Sequence, residues 1–428
     1  MSTGTLLIRG GRALDPAGKL DRTADVLVRD GRIASVGEDL KAPKDAWVYD
    51  ADGRLVVPGL LDLHAHLREP GARAAGTIAS ESEAAVRGGF ATVLAMPNTD
   101  PPADSEAAIS RVLRRGREAG FANVLPVGCI TRGRAGKEIA EMERLARAGA
   151  VAFSDDGSDV VDDGLMRRAL ECARATGRPV LAHCEDAALA AGGVMHAGAV
   201  SVRLGLSGQP AAAEEAAVER NVRLAEITGG RLHVCHVSTA GSVEIIRRAK
   251  ARGAPVTAEV TPHHLLLTDE ACADLDPVAK VNPPLRTARD AEALLAGLLD
   301  GTIDAIATDH APHAAEDKEM EFEAAAFGMN GLESAVGVLL TKLVQTGKVS
   351  VEVLVERLTA GPARVIGRPE AASLCEGADA NVTVIDPETA WTIDAAVFRS
   401  AGRNCPFQGL PVVGRAVLVV AGGRVHEV

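Results

Sequence analysis

Two histidines with a single residue between them, His64 and His66, have the spacing of a metal-binding pair. They end an apolar run, residues 55–66, that has the character of a β-strand. Because side chains alternate along a strand with a period of two, both imidazoles project from the same side of the chain. A shared metal ion is one use of such a pair, and two hydrogen-bonded core histidines are the other. The spacing alone does not decide between them.

Similar polar residues end other apolar runs of the chain. Eight such runs lie at 55–66, 90–98, 122–130, 150–156, 179–185, 231–238, 255–264 and 303–313. At or near their ends lie metal-binding residue types, namely His64, His66, Asp155, Asp156, His183, Glu185, His236, His263, His264 and Asp309. If the runs are parallel strands, their carboxyl ends open on one face and these side chains meet there.

The runs themselves predict the fold class. They are continuously apolar, as strands buried on both faces must be, and helical segments such as 81–87, 166–175 and 214–226 separate them. Strands that alternate with helices favour right-handed parallel crossovers. We therefore predict an α/β protein with a (β/α)8 TIM-type barrel, and a doubly wound open sheet is the alternative.

The two ends of the chain differ from the middle. Residues 5–50 read as short strands with a hairpin signal at Asp30-Gly31, and residues 380–385, 416–420 and 424–428 have the same character. We predict a small β-sandwich module built from both termini. The expected domains are residues 1–53 and 366–428 for this module and residues 54–365 for the barrel.

Composition excludes several classes of partner. The chain has 428 residues, 47% of them hydrophobic, and a formal charge of −12. That charge, with only one Tyr and two Trp, argues against binding to nucleic acid or to an anionic membrane. No apolar stretch reaches the length of a membrane span, and no secretory signal is apparent, so we expect a cytoplasmic protein. Cys129, Cys184 and Cys235 lie in apolar runs and are expected to be buried.

The polar residues suggest up to two metal ions. His64, His66 and Asp309 offer nitrogen and oxygen ligands that suit Zn²⁺ with an open position for water, and His183 and His236 could hold a second ion. Two ions close together need a bridging anion. A carboxylated lysine is excluded in runs four to six, because no lysine lies between Lys137 and Lys250. Asp155 or Asp156 offers a carboxylate instead.

Five blocks of the sequence resemble the dihydroorotases of the metal-dependent amidohydrolase superfamily. The blocks are LDLHAHLREPG at 61–71, MPNT at 96–99, FSDDG at 153–157, VNPPLR at 281–286 and ATDHAPH at 307–313. The resemblance extends over nearly the whole chain. It is strongest to the bacterial members that use aspartate in place of a carboxylated lysine, which agrees with the missing lysine.

The resemblance implies a role for each matching residue. Metal would bind to His64, His66, Asp156, His183, His236 and Asp309, with Asp156 rather than Asp155 as the bridge. One or two Zn²⁺ ions are expected, with two favoured. Asp309 would be the catalytic acid and base. Substrate would contact His66, Leu67, Arg68, Asn98, Asn282, His313, Phe327 and Gly328, and among these Arg68, Asn98 and His313 would hold the substrate carboxylate.

The implied reaction is the reversible conversion of (S)-dihydroorotate and water to N-carbamoyl-L-aspartate in de novo pyrimidine (UMP) biosynthesis. One alternative is a related hydrolase of hydantoins, dihydropyrimidines or allantoin, to which a carboxylate-binding Arg68 would be of no use. The other is a non-catalytic scaffold for aspartate transcarbamoylase, which would be expected to have lost metal ligands. A homodimer and an active complex with aspartate transcarbamoylase stay open, as does the role of residues 314–330 as mobile lid or solvated connection.

Overall fold

The computed structural model describes residues 4–428. Five strands precede the barrel: β1 (Thr5–Asp15), β2 (Leu20–Arg29), β3 (Arg32–Gly37), β4 (Ala46–Asp50) and β5 (Leu55–Pro58). β2 and β3 pair in antiparallel fashion across Asp30 and Gly31, whose φ angles are 51° and 73°. Asp and Gly tolerate this left-handed conformation, which matches the twist of a hairpin. The predicted hairpin is confirmed.

The first predicted run divides at Gly59. Its first part, β5, pairs with β1 and with a strand near the C-terminus, whereas the barrel begins only at Leu60. A Cβ atom at residue 59 would lie 2.5 Å from the Cβ of Ala91, so the chain passes too close to the barrel for any other residue. We place the boundary between sheet and barrel at Gly59, slightly beyond the predicted one.

The middle of the chain forms a parallel barrel. Its eight strands are β6 (Leu60–Ala65), β7 (Phe90–Ala95), β8 (Asn123–Gly128), β9 (Ala152–Phe153), β10 (Val180–Ala182), β13 (Leu232–Val234), β14 (Val256–Val260) and β15 (Ala305–Ile306). A separate short pair, β11 (Met195–His196) and β12 (Gly208–Gln209), lies outside the barrel. Each predicted run contains one of the eight barrel strands, and neighbouring strands pair in chain order. The His66 amide donates to the His310 carbonyl at 2.8 Å and joins the first strand to the last. The (β/α)8 barrel is confirmed, and the open-sheet alternative is wrong.

Helices connect the strands. They are α1 (Ile78–Arg87), α2 (Glu106–Ala119), α3 (Met142–Ala148), α4 (Asp163–Thr176), α5 (Ala187–Ala190), α6 (Ala199–Leu204), α7 (Ala211–Thr228), α8 (Ala240–Ala251), α9 (Pro262–Leu266), α10 (Ala288–Asp300), α11 (Ala315–Lys318), α12 (Ala335–Leu339), α13 (Val351–Leu358) and α14 (Ala360–Val365). The three predicted helical segments lie in α1, α4 and α7. Side chains of Thr77, Ser105 and Asp162 accept backbone N–H bonds where α1, α2 and α4 begin, which satisfies donors that the helix leaves free.

Three more strands follow the barrel: β16 (Val382–Thr392), β17 (Pro411–Ala421) and β18 (Arg424–Glu427). β16 pairs with β5, so both termini contribute to one sheet in the order β18-β17-β16-β5-β1-β2-β3, with β4 beside β1. This sheet has an apolar core separate from that of the barrel, and Val26, Val384 and Leu418 belong to it. The prediction of a β-module assembled from both ends of the chain is confirmed.

The barrel has a separate core on each side of its strands. Leu61, Leu94 and Leu181 belong to the inner cluster, whereas Phe90 and Val218 belong to the larger cluster that includes the surrounding helices. Cys129, Cys184 and Cys235 are buried, as predicted. Within residues 4–428, no helix has the length and apolar character needed to cross a membrane.

Candidate metal centre and active site

The predicted metal ligands meet at one end of the barrel. Each lies at the carboxyl end of a strand, where the sheet fixes its backbone, and each is buried. His64 is the second-last residue of β6. The others follow the ends of β6, β9, β10, β13 and β15, in the order His66, Asp156, His183, His236 and Asp309. Residues far apart in the chain are therefore neighbours, as the parallel topology requires.

A first group of ligand atoms belongs to His64, His66 and Asp309. Asp309 Oδ1 lies 3.2 Å from His66 Nε2 and 3.4 Å from His64 Nε2. Two ligand atoms that are each about 2.1 Å from a tetrahedral zinc ion lie about 3.4 Å apart. The spacing of these three side chains therefore fits a single ion.

Asp156 lies between this group and a second pair of histidines. His183 Nδ1 and His236 Nε2 are 3.0 Å apart, and Asp156 Oδ1 is 3.9 Å and 3.8 Å from them. The same oxygen is 3.2 Å from His64 Nε2, and Asp156 Oδ2 is 3.6 Å from His66 Nε2. The carboxylate thus contacts both groups, which is the position of a bridging ligand.

Two atoms at the centre of this arrangement support a bound cation. His64 Nε2 and Asp156 Oδ1 are buried, and neither finds a hydrogen-bond partner in the part of the chain that the structure describes. Leaving such groups unsatisfied costs about 1–3 kcal/mol each. A cation between a nitrogen lone pair and a carboxylate oxygen would satisfy both. The residues present therefore fit a metal ion of the zinc type.

Asp155 has a different environment from its neighbour. It accepts hydrogen bonds from the backbone amides of Ile130 and Thr131, at 2.9 Å and 3.1 Å, and from the Thr131 hydroxyl. Burial raises the pKa of Asp155, and these donors partly oppose the shift. Asp155 fastens the loop after β8, whereas Asp156 faces the histidines.

Glu259, in β14, orients His64 and was missed in the sequence. Its carboxylate accepts from His64 Nδ1 at 2.9 Å and from His233 Nε2 at 3.0 Å. Burial opposes its ionisation, but these two histidines lower the pKa of Glu259 to about 2. With Nδ1 protonated toward Glu259, His64 presents its Nε2 lone pair to the centre. A single acid within the apolar run 255–264 was the available signal.

Asp62 connects the first and last strands beneath the ligands. It accepts from the Thr308 amide at 2.9 Å, from the Thr308 hydroxyl at 2.6 Å and from the His64 amide at 3.3 Å. Burial raises the pKa of Asp62 to about 6 despite these donors. The contact fixes the backbone on either side of the centre, next to His64 and to Asp309.

Other histidines near the mouth have structural partners. His310 lies 2.8 Å from Glu81 of α1, and His264 Nε2 donates to the Pro283 carbonyl at 2.9 Å. His263 is also buried beside its neighbour. His233 Nε2 bonds to Glu259 and therefore supports the position of His64.

The predicted carboxylate-binding residues lie together at the mouth. Arg68 Nε donates to the Pro312 carbonyl at 2.9 Å, and its terminal nitrogen is 3.3 Å from His313 Nε2. Burial, followed by the charge of Arg68, lowers the pKa of His313 to about 4, so His313 is neutral. Its Nε2 donates to the Phe327 carbonyl at 2.8 Å. Leu67, between His66 and Arg68, is buried.

Asn98 lies between the metal ligands and the substrate side. Its Oδ1 accepts from His66 Nδ1 at 2.9 Å and its Nδ2 donates to Asp156 Oδ2 at 3.1 Å. An amide nitrogen has two hydrogens, so one N–H stays available for a ligand. Asn98 thus orients two metal ligands in addition to the predicted substrate contact.

The remaining predicted substrate contacts, Asn282 and residues 327–328, lie on two further loops. Asn282 Nδ2 donates to Glu185 at 2.7 Å, and Glu185 also lies 3.6 Å from His183 Nε2. The contact with the His183 imidazole is the main reason that the pKa of Glu185 falls to about 2. Gly328 has its N–H bonded to the Lys280 carbonyl at 2.9 Å. Glu185 thus joins a metal ligand to a predicted substrate contact, a role the sequence did not reveal.

Residues 314–330, left open as mobile lid or solvated connection, contain the short helix α11 and are fastened to the protein. The ammonium group of Lys318 donates to the carbonyls of Pro277 and Ala326, at 2.9 Å and 2.7 Å. Lys280 lies 4.5 Å above the Phe327 ring and donates to the Glu323 carbonyl at 2.8 Å. Two lysines therefore hold this segment against the loop at 277–280.

Comparisons with known proteins agree with the site. Residues 53–242 match the family model described as "Dihydro-orotase-like". A dihydroorotase of Pelotomaculum thermopropionicum is 54% identical over 421 residues, which cover 98% of each chain. A dihydroorotase of Anaeromyxobacter dehalogenans is 53% identical over 425 residues, 99% of this chain and 98% of that one.

Solved structures show the same architecture. An L-hydantoinase (dihydropyrimidinase) from Arthrobacter aurescens superposes with a TM-score of 0.88 and 29% identity over 99% of this chain and 96% of that one. A D-hydantoinase from a Thermus species gives a TM-score of 0.85 and 26% identity over the same shares.

Full-length identity at this level, together with the grouped metal-binding side chains at the mouth of the barrel, establishes the family. The chain belongs to the dihydroorotases and is a hydrolase of cyclic amides.

Proposed function

We propose that this protein is a zinc-dependent dihydroorotase that reversibly converts (S)-dihydroorotate and water to N-carbamoyl-L-aspartate in UMP biosynthesis. The observation that carries the proposal is the position of Arg68 beside the candidate metal centre. Although burial lowers the pKa of Arg68, the carboxylates of Asp309 and Asp156 are close enough to oppose that shift. A fixed cation at the centre of a protein with charge −12 suits a substrate that carries a carboxylate.

Two zinc ions are the proposed cofactor. His64, His66 and Asp309 would hold one ion, His183 and His236 the other, and Asp156 would contact both. When bound, zinc lowers the pKa of a coordinated water from 15.7 to about 7 and polarises a carbonyl oxygen. Glu259 and Asn98 keep the ligand nitrogens directed at the ions.

Asp309 is the proposed proton carrier. Burial disfavours its charge, but His64, His66 and His236 hold the pKa of Asp309 well below its usual range, so it is a carboxylate before reaction. In this proposal it accepts a proton from the attacking water and delivers that proton to the ring nitrogen that departs. In the biosynthetic direction the same carboxylate takes the proton from the nitrogen that closes the ring.

The remaining predicted residues orient the substrate. Arg68 would pair with the substrate carboxylate, with the free N–H of Asn98 and the neutral His313 beside it. Asn282 and the backbone at 327–328 would border the ring. Because the guanidinium is fixed by the Pro312 carbonyl, the carboxylate determines which ring carbonyl faces the metal centre.

A comparison of two substrates tests the proposal. Purified enzyme should hydrolyse dihydroorotate at least 100-fold faster than uncharged dihydrouracil, measured as kcat/KM with zinc content determined by elemental analysis. About two zinc ions per chain are expected. Equal turnover of the two substrates would favour the hydantoinase-type alternative, and no turnover by zinc-loaded protein would favour the scaffold.

The proposal extends to the location of the protein in the cell and to its assembly with other chains. Cys172 and Cys375 are exposed free thiols, which suits the reducing cytoplasm as its location. Light scattering of the protein alone, and then with aspartate transcarbamoylase, tests the homodimer and the enzyme complex.

A further inference from the structure

We propose that Asn404, which lies outside the barrel in the C-terminal part of the chain, is a positioning residue for the substrate-binding end of the site. It fixes two loops at once, one with His313 and the other with Phe327 and Gly328. The inference rests on the proposed function, because that function assigns substrate contacts to these loops.

The first loop is held by both ends of the Asn404 amide. The Oδ1 atom accepts from the His313 backbone N–H at 3.2 Å, and the Nδ2 atom donates to the Ala311 carbonyl at 2.9 Å. These bonds fix the backbone on both sides of Pro312, whose carbonyl in turn accepts from Arg68. Asn404 therefore acts on the peptide groups that place His313 and Arg68.

The second loop is held by the same side chain and its backbone. Asn404 Nδ2 also donates to the Gly328 carbonyl at 3.1 Å, and the Asn404 carbonyl accepts from the Asn330 N–H at 2.9 Å. The side chain is 4% exposed, so water cannot readily replace these bonds. The two loops also meet directly, where His313 donates to the Phe327 carbonyl.

Only an amide of this length satisfies all of these partners. The His313 N–H needs an acceptor, and the carbonyls of Ala311 and Gly328 each need a donor. An asparagine side chain provides one acceptor oxygen and two N–H donors. An aspartate would keep the acceptor but would place negative oxygens against the Ala311 and Gly328 carbonyls.

The segment that carries Asn404 is itself fixed. Asn330 Nδ2 donates to the Gly402 carbonyl at 2.7 Å, and Glu333 accepts from the backbone amides of Arg399 and Ser400 at 2.9 Å and 3.0 Å. A Cβ atom at residue 402 would lie 2.8 Å from the His313 nitrogen, so the segment passes directly against the first loop. Glu333 thus holds the segment from outside the two loops that Asn404 connects, and Asn330 ties it a second time to the second loop.

The experiment compares Asn404→Asp and Asn404→Ala with a matched control. Asn381→Ala removes another buried amide of the terminal module, 7% exposed, which bonds to Asn123 and to the Gly422 amide away from the mouth. Both Asn404 variants should raise KM for dihydroorotate at least 10-fold, change kcat less than 3-fold and keep wild-type zinc content. The control should leave KM within 2-fold of wild type.

Hydrogen exchange separates this inference from the proposed function. In Asn404→Asp, the amides of Ala311, His313 and residues 328–330 should exchange at least 10-fold faster, while those of the barrel strands keep their protection. Unchanged exchange in both loops, or an equal increase in the Asn381→Ala control, would overturn the role of Asn404. Faster exchange in a protein whose wild type does not hydrolyse dihydroorotate would support that role and refute the proposed function.

Discussion

The half of the barrel mouth that carries the predicted metal ligands (the metal half) and the half that carries the predicted substrate contacts (the substrate half) are built in different ways. The predicted metal ligands lie on or directly after strands, and buried carboxylates such as Glu259 and Asp62 orient them or their backbone. The predicted substrate contacts lie on loops that are held by side chains from elsewhere, above all Asn404 and Lys318.

This difference corresponds to the accuracy that each half requires. Metal coordination tolerates errors of only a few tenths of an ångström, and strands in a closed sheet provide that rigidity. A substrate that must enter and leave needs groups that can move, and loops held by a few hydrogen bonds can do so. Substitutions in the two halves should therefore have separable effects on metal content and on substrate affinity.

The largest expected effect comes from Asp309, which is both a predicted metal ligand and the proposed proton carrier. Asp309→Asn should lower kcat about 10²–10⁴-fold, because the amide cannot carry the proton. Zinc should be at least partly retained, since His64 and His66 remain. Steady-state kinetics and elemental analysis measure the two quantities, with Asp300→Asn on the far surface as the control. Near-normal activity would remove Asp309 from the proton path.

A smaller effect, confined to the metal half, is expected for Glu259→Gln. Loss of the carboxylate that orients His64 should weaken zinc binding about 10–100-fold, as measured by competition with a chelator. The half-buried Glu333, which accepts from backbone amides away from the centre, provides the control Glu333→Gln. Equal zinc affinity in wild type and Glu259→Gln would mean that strand geometry alone orients His64.

In the substrate half, Arg68→Lys should raise KM for dihydroorotate about 10-fold with little change in zinc content. Lysine keeps the charge but cannot bind a carboxylate through two parallel N–H groups. The exposed Arg73→Lys is the control. Loss of zinc from Arg68→Lys would contradict the independence of the two halves.

The smallest effect concerns the pH dependence of stability. Burial and the nearby Lys280 lower the pKa of Lys318 from 10.5 to about 7. Between these values the unfolded chain binds a proton that the folded chain lacks, so this group makes the free energy of unfolding rise with pH, by up to about 1 kcal/mol per pH unit. Lys318→Met should remove that rise in urea unfolding from pH 7 to pH 10, whereas the exposed Lys342→Met should keep it. Identical pH profiles for all three proteins would mean that Lys318 is not perturbed.

The sequence predicted the barrel because its signals are local. Continuous apolar runs with polar ends identified all eight strands, and the spacing of His64 and His66 predicted that both imidazoles project from the same side of the chain. The boundary at Gly59 was not visible, since residues 55–58 and 60–65 are both buried and mostly apolar although they belong to different sheets.

The amino-acid sequence by itself determined which segments form strands and which polar residues stand at their ends, because the periods of strands and helices are properties of neighbouring residues. The tertiary structure decided which distant groups meet. Glu259 lies 195 positions from His64, and Asn404 lies 91 positions from His313. Such pairs arise only when the barrel closes and the C-terminal segment folds back across its mouth, and no local pattern of residues encodes that distance.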